Sequence, residues 1–191
     1  MVANPQIDTV SFIELNDLRN MACQHVCECP ESHISCIDAK EWLKCQLGVW
    51  QFNYRKDDIR DKEVHPATFP IALPRRWIEL LTHRGELVVD PFAGVGSTLL
   101  AARETSRNAI GCDLHSGYVQ KARERLWQLP MLENCLPSTG RQVMVECDAR
   151  DLASYLSLES VSLIVTSPPY ANLLNRRRLN KSRRGDTRKN G

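Results

Sequence analysis

The stretch 86-ELVVDPFAGVGSTLL-100 decides how the rest of the chain reads. Leu87, Val88 and Val89 form the apolar run of a short buried strand, and Asp90 ends it. Gly94 and Gly96 then permit a tight turn and close backbone approach before a helix that opens near Ser97. A glycine turn between strand and helix is also an ordinary βα connection, so its meaning depends on the residues at the ends of the other strands.

Working outward, the pattern alternates. Before the turn, "PRRWIELLTHRG" reads as a helix from about Pro74 with Gly85 as its stop. After it, "STLLAARETS" is a helix, "NAIGCD" a strand, "SGYVQKARERLWQL" a helix, "RQVMVECD" a strand, and "SVSLIV" another, preceded by a helical turn near Asp151 to Tyr155. Strands alternating with helices predict an α/β fold, a doubly wound and mostly parallel sheet with helices on both faces. The chain divides into three segments: 1–63, helical and cysteine-rich; 64–170, the α/β core; and 171–191, a basic tail expected to be disordered. In the first, Val10 to Met21 reads as a helix, and so does "DAKEWLKCQLGVW", where Asp38 and Glu41 have capping-box spacing. Trp42, Trp50, Phe52 and Tyr54 read as a packing face.

Ligands of such sheets sit outside the carboxyl ends of the strands. Those ends carry Asp90 with its glycine turn, Asp113, Asp148 and 166-TSPPY-170. Asp113 lies about twenty residues after the glycines, where an acid can accept from the ribose hydroxyls of a nucleoside cofactor. Two prolines ending an apolar strand are a second anomaly, because each fixes φ and removes a ladder donor.

From "HPATFP" at His65 through "DPFAGVGST" to "TSPPYANLLNRRR", the chain resembles the AdoMet-dependent DNA amino-methyltransferases of the class I Rossmann-like type. The resemblance implies that the turn of Asp90, Phe92, Ala93, Gly94, Gly96, Ser97 and Thr98 wraps the methionine part of AdoMet. It further implies that Asp113 binds the ribose and Asp148 the adenine edge. His65 and Phe69 are added candidates from the helix that closes over the cofactor, Phe69 being equally readable as core. Ser167, Pro168, Pro169 and Tyr170 form the catalytic corner of such enzymes. A base inside a duplex must be flipped out to reach it. The stiff prolines then let the Pro168 carbonyl and the Ser167 hydroxyl accept from the exocyclic NH₂ while Tyr170 stacks on the base. In this family Ser-Pro-Pro-Tyr leans toward the 4-amino group of cytosine, with the 6-amino group of adenine as the alternative. A methyltransferase of RNA or of a protein amide, and a nucleic-acid-binding module with a dead core, are the rival readings.

Composition bounds these readings. The 191 residues are 42% hydrophobic, enough for one sizeable core. A membrane span or signal peptide is not legible, so a cytoplasmic protein without a membrane partner is expected. Eight basic residues after Leu174, including Arg176, Arg177, Arg178, Lys181, Arg183 and Arg184, face the single acid Asp186 and leave the remaining chain net negative. That block is the footprint of a polyanion, with double-stranded DNA as the expected partner. The family's sheet continues past the Ser-Pro-Pro-Tyr strand, whereas the tail is polar. The fold is thus expected to be incomplete at its C-terminal side, the chain being a piece of a longer enzyme or completed by a second polypeptide.

Eight cysteines in a reducing compartment are expected as thiols or metal ligands rather than a disulfide framework. Cys23, Cys27, Cys29 and Cys36, with His25 and His33 interleaved, could bind zinc tetrahedrally, yet C-x₃-C-x-C-x₆-C is no familiar finger or ribbon. Reduced, partly buried thiols with no metal remain the other reading.

Overall fold

A computed structural model describes residues 18, 21, 25–46, 49–56, 58, 68–127 and 140–168. In chain order the elements are β1 (His33–Ile34), β2 (Ile37–Asp38), α1 (Ala39–Lys44), α2 (Ala72–Leu81), β3 (Leu87–Asp90), α3 (Ser97–Glu104), β4 (Asn108–Asp113), α4 (Ser116–Trp127), β5 (Gln142–Glu146), a 3₁₀ turn (Leu152–Tyr155) and β6 (Leu163–Ile164).

β3 to β6 form one sheet in the order β5-β4-β3-β6, every pair parallel. Sequence order therefore runs outward from β3 in one direction, through β4 to β5, and then reverses to place β6 on β3's other side. This is a Rossmann-like arrangement, and the crevice between β3 and β6 is its topological switch point. All four residues of β3 are buried, as a strand flanked on both edges and covered on both faces must be.

Period-two alternation sends side chains to opposite faces. Val88, Ala109 and Met144 join one cluster with Ile71, Ile78, Leu99, Ala101, Val119 and Ala122, so α2, α3 and α4 all cover that face. Leu87, Val89, Ile110, Cys112, Val143 and Val145 point the other way, against Leu18, Met21 and Leu152. The expected second layer is therefore represented, among the described residues, by Leu18, Met21 and the 3₁₀ turn. The rest of the helix expected over Val10 to Met21 lies outside the described residues.

Gly111 explains how closely α3 seats. A Cβ there would come within 2.5 Å of Leu99 Cδ1, 2.9 Å of Ala93 Cβ and 2.9 Å of Met144 Sδ. The boundaries of α2 differ from expectation: it starts at Ala72, before Pro74, and ends at Leu81 rather than near Gly85. Thr82 stops it by turning extended, its hydroxyl donating to the Ile78 carbonyl at 2.6 Å. Gly85, with φ 85°, instead makes the bend into β3. Asp38 caps α1 as its spacing predicts, accepting from the Glu41 amide at 2.9 Å. Trp50 packs on Trp77 with ring centroids 4.8 Å apart, which agrees with a packing role for the aromatic group. No helix among the described residues is long and apolar enough to cross a membrane.

One cysteine expectation is corrected. Cys112 ends the buried part of β4 opposite Val145, Cys147 comes two residues later, just after β5, and the two pair as a disulfide with Cα atoms 5.8 Å apart.

Candidate nucleoside and base site

The carboxyl ends of β3, β4, β5 and β6 bring together most of the candidate cofactor and base residues. Asp90 lies at the end of β3, 1% exposed. Its carboxylate accepts from the Phe92 amide at 3.1 Å and from the Thr98 hydroxyl at 2.6 Å, with the Thr166 hydroxyl a further partner. Burial pushes its pKa up, against the pull of those donors, and the charge of Asp113 pushes the same way. Asp90 is thus turned inward and ties the glycine turn to the segment just beyond β6.

The turn itself is held from three sides. The Ala93 amide donates to the Cys112 carbonyl at 2.8 Å and the Gly94 amide to Asp113 Oδ2 at 2.9 Å, both from the end of β4. The Gly96 amide closes the turn on the Ala93 carbonyl at 2.8 Å. From α4, the buried Arg125 guanidinium reaches the Val95 carbonyl at 2.6 Å and the Ser97 hydroxyl at 3.4 Å, and lies 4.0 Å from the buried Asp58. Gly94 and Gly96 have φ of 52° and 80°, the left-handed region that side chains resist. Ser97 and Thr98 are buried by these contacts, whereas Phe92 stays 39% exposed at the rim.

Asp113 is half-buried and oriented by two backbone donors, Gly94 on Oδ2 and His115 on Oδ1 at 2.9 Å. Asp148 sits at the third tip, where Arg150 grips it: Nε to Oδ1 at 3.0 Å, a second guanidinium nitrogen to Oδ2 at 2.6 Å, and the Arg150 amide to Oδ1 at 2.9 Å. The guanidinium holds the Asp148 pKa down to about 2.

β6 pairs with β3 in the register Val88↔Leu163 and Val89↔Ile164, and the Val165 amide donates to the Val89 carbonyl at 3.1 Å. Ser167, half-buried, and Pro168, exposed, therefore emerge beside the Asp90 turn. Phe69 is half-buried just before α2, and Ile71 at the start of that helix shares a cluster with Ala93. His65, Pro169, Tyr170 and the basic residues Arg176, Arg177, Arg178, Lys181, Arg183 and Arg184 lie outside the described residues, as does Cys23.

Sequence reasoning missed the brace of Arg125 and Asp58, the Thr166 link and the Arg150 grip. A helix reading "KARER" looks like a solvated face, and nothing local marks Arg125 as its buried member. It also missed His83. Cys27, Cys29 and Cys36 do converge, and among the described residues His83 joins them, all four ligand atoms lying within 4.8 Å of one another. The only hint in the chain was a histidine just ahead of a strand, distant in sequence. A cavity of about 180 Å³ beside this group is lined by Cys36, Glu79, Arg84, Glu104 and Arg107. It opens at the amino ends of β3 and β4, the side of the sheet away from Asp113 and Ser167.

A parallel sheet with a glycine turn at its switch point, and acids on the next two strand tips, defines a Rossmann-like site of the kind that binds nucleoside cofactors. Comparison with known proteins narrows the class. A family model described as DNA methylase, covering N6 and N4 methyltransferases, matches residues 25–124, and the chain belongs to that family. It is 35% identical over 91 residues to the type II methyltransferase M.BglI of Bacillus subtilis, an alignment covering 47% of this chain and 25% of that protein. Against M.HindIII of Haemophilus influenzae the identity is 44% over 66 residues, 35% of this chain and 21% of the relative. Against M1.MboII of Moraxella bovis it is 36% over 102 residues, 48% and 39% respectively. The chain thus spans well under half the length of these curated relatives.

Proposed function

We propose that this chain carries the AdoMet turn and the catalytic corner of a DNA amino-methyltransferase acting on the 4-amino group of cytosine. The observation that carries the reading is the parallel pairing of β3 with β6, which sets the Asp90 turn beside Ser167 across the switch point. The residues suit AdoMet: a pre-oriented, half-buried carboxylate for ribose hydroxyls at Asp113, a glycine turn at positive φ that carries no side chain to block close approach, the Phe92 ring at the rim, and an acidic rim for a sulfonium cation.

AdoMet supplies an electrophilic methyl group on its sulfonium. The protein's part is placement. Asp113 holds the ribose, and Asp148 offers the adenine edge whatever acceptor capacity Arg150 leaves. Ser167 Oγ and the Pro168 carbonyl accept the two protons of the flipped base's amine, and Tyr170 stacks on the ring. Holding both protons, Ser167 and Pro168 would turn the nitrogen lone pair toward the bound cofactor, which would supply its methyl group to that nitrogen and leave as a thioether, one amine proton going to solvent. Positioning of this type supplies on the order of 7–11 kcal/mol of a bimolecular barrier, so no strong base is needed. Double-stranded DNA is the substrate, met by the basic residues from Arg176 to Arg184, and the similarity to type II enzymes supports a role in restriction-modification.

The test is labelled methyl transfer to mixed-sequence DNA, completed by digestion to nucleosides. Label in N4-methylcytosine is expected. Label in N6-methyladenine would move the reading to the adenine branch, and label in neither base would overturn it. Ser167→Ala is expected to lower turnover by about 10²-fold while the affinity for S-adenosylhomocysteine stays nearly unchanged.

A further inference from the structure

We propose that Cys27, Cys29, Cys36 and His83 hold a structural zinc ion that staples the cysteine-rich segment to the amino edge of the sheet. The six distances among the ligand atoms carry the assignment. Sulfur to sulfur they are 3.3 Å for Cys27–Cys29, 3.3 Å for Cys27–Cys36 and 3.7 Å for Cys29–Cys36. From His83 Nδ1 to the same sulfurs they are 3.4, 3.6 and 3.8 Å. Tetrahedral zinc, with Zn–S about 2.3 Å and Zn–N about 2.0–2.1 Å, requires S···S edges of about 3.8 Å and S···N edges of about 3.6 Å. Four donor atoms already stand near the corners of that tetrahedron, and their number and type, three thiolates and an imidazole, are those of closed structural sites.

The surroundings are built for the same purpose. The Arg84 amide donates to Cys36 Sγ at 3.2 Å. The His83 amide donates to Glu86 Oε2 at 2.7 Å, and the Val26 amide to the Arg84 carbonyl at 2.9 Å, fixing both chain segments. His25 stacks on His83 with centroids 4.3 Å apart. Cys36 sits in the turn joining β1 to β2, where Ser35 has φ 58° and donates to the Leu80 carbonyl at 2.9 Å.

Hydrophobic burial does not account for this arrangement. β1 and β2 have two residues each, and α1 buries no residue. A hairpin of that size is not stable by itself. A metal that gathers ligands from distant segments contributes its binding energy directly to folding. The site lies at the opposite end of β3 from Asp90, so it acts on the fold and not on methyl transfer, and its fate is separable from the methyltransferase reading.

The experiment is metal analysis of the whole chain, purified from zinc-supplemented cells without chelator, where about one zinc per chain is expected for a single closed site. Exchange for Co²⁺ is expected to give the visible bands of tetrahedral cobalt with thiolate charge transfer. Cys36→Ser and His83→Ala should lower metal content at least tenfold, while Cys45→Ser and His25→Ala retain it. Should His83→Ala not fold, His83→Cys keeps four ligands and is expected to bind Co²⁺ with stronger thiolate charge transfer. A metal-free wild-type chain in which Cys27, Cys29 and Cys36 all react with a thiol reagent, a disulfide among those three after anaerobic purification, or a cobalt spectrum indifferent to His83→Ala would each overturn the proposal.

Discussion

Asp90 ties the glycine turn to the end of β6, taking the Thr98 hydroxyl from the turn and partnering Thr166 beside Ser167. Burial raises its pKa, so the folded state holds the proton more tightly than the unfolded chain does. Stability from this group therefore falls as pH rises from the ordinary carboxylate range of about 4 through the raised value. Relative to Asp90→Asn, the native protein is expected to be favoured more at about pH 4.5 than at about pH 8, read from urea unfolding. A difference that does not move with pH would place Asp90 at an ordinary pKa. Asp148 has the opposite sign: with its pKa held to about 2, its small surface contribution is present above the unfolded value and disappears as pH falls through about 2. Asp113 is the residue proposed to hold the ribose. Asp113→Ala is expected to weaken S-adenosylhomocysteine binding by about 1–3 kcal/mol. Calorimetry giving an unchanged affinity would remove Asp113 from the ribose site.

Between β3 and α3 the chain has little freedom, and two glycines mark where. Gly96 requires φ 80°, and a Cβ on it would lie 3.0 Å from the Ala122 Cβ of α4. Gly96→Ala is expected to lose about 1–2 kcal/mol from the backbone conformation alone and to loosen the glycine turn. Gly111→Ala belongs to packing instead. Its methyl would press on Leu99, Ala93 and Met144 at once, and an overpacking cost of about 1–3 kcal/mol is expected in thermal unfolding. An unchanged midpoint would mean that α3 shifts without cost. Arg125 makes α4 more than a cover for the sheet, since it reaches through to the Val95 carbonyl and stands opposite Asp58. Removing one member of such a buried pair typically costs about 3–5 kcal/mol, so Arg125→Met is expected to unfold the turn before it affects the sheet.

The whole molecule presents a sheet whose last described strand, β6, is two residues long with Ile164 61% exposed. An apolar sheet edge invites a neighbour. DNA affinity should drop steeply between about 50 and 200 mM salt, and replacing Arg176, Arg177 and Arg178 by Gln should flatten that dependence. Much of this was legible from local pattern. Apolar runs, 3.6-residue periodicity and glycines that must adopt positive φ are properties of neighbouring residues, so β3 to β5, α3, α4 and the Asp90, Asp113 and Asp148 tips could be placed from the chain alone. Helix ends were less legible, because Thr82, which turns extended, rather than Gly85 ends α2. Pairing across the chain left no local trace. Which strand lies beside β3, that Arg150 grips Asp148, that Cys112 meets Cys147, and that His83 completes the group of Cys27, Cys29 and Cys36 were decided only when the two sheet faces buried their apolar residues and brought residues distant in sequence into contact.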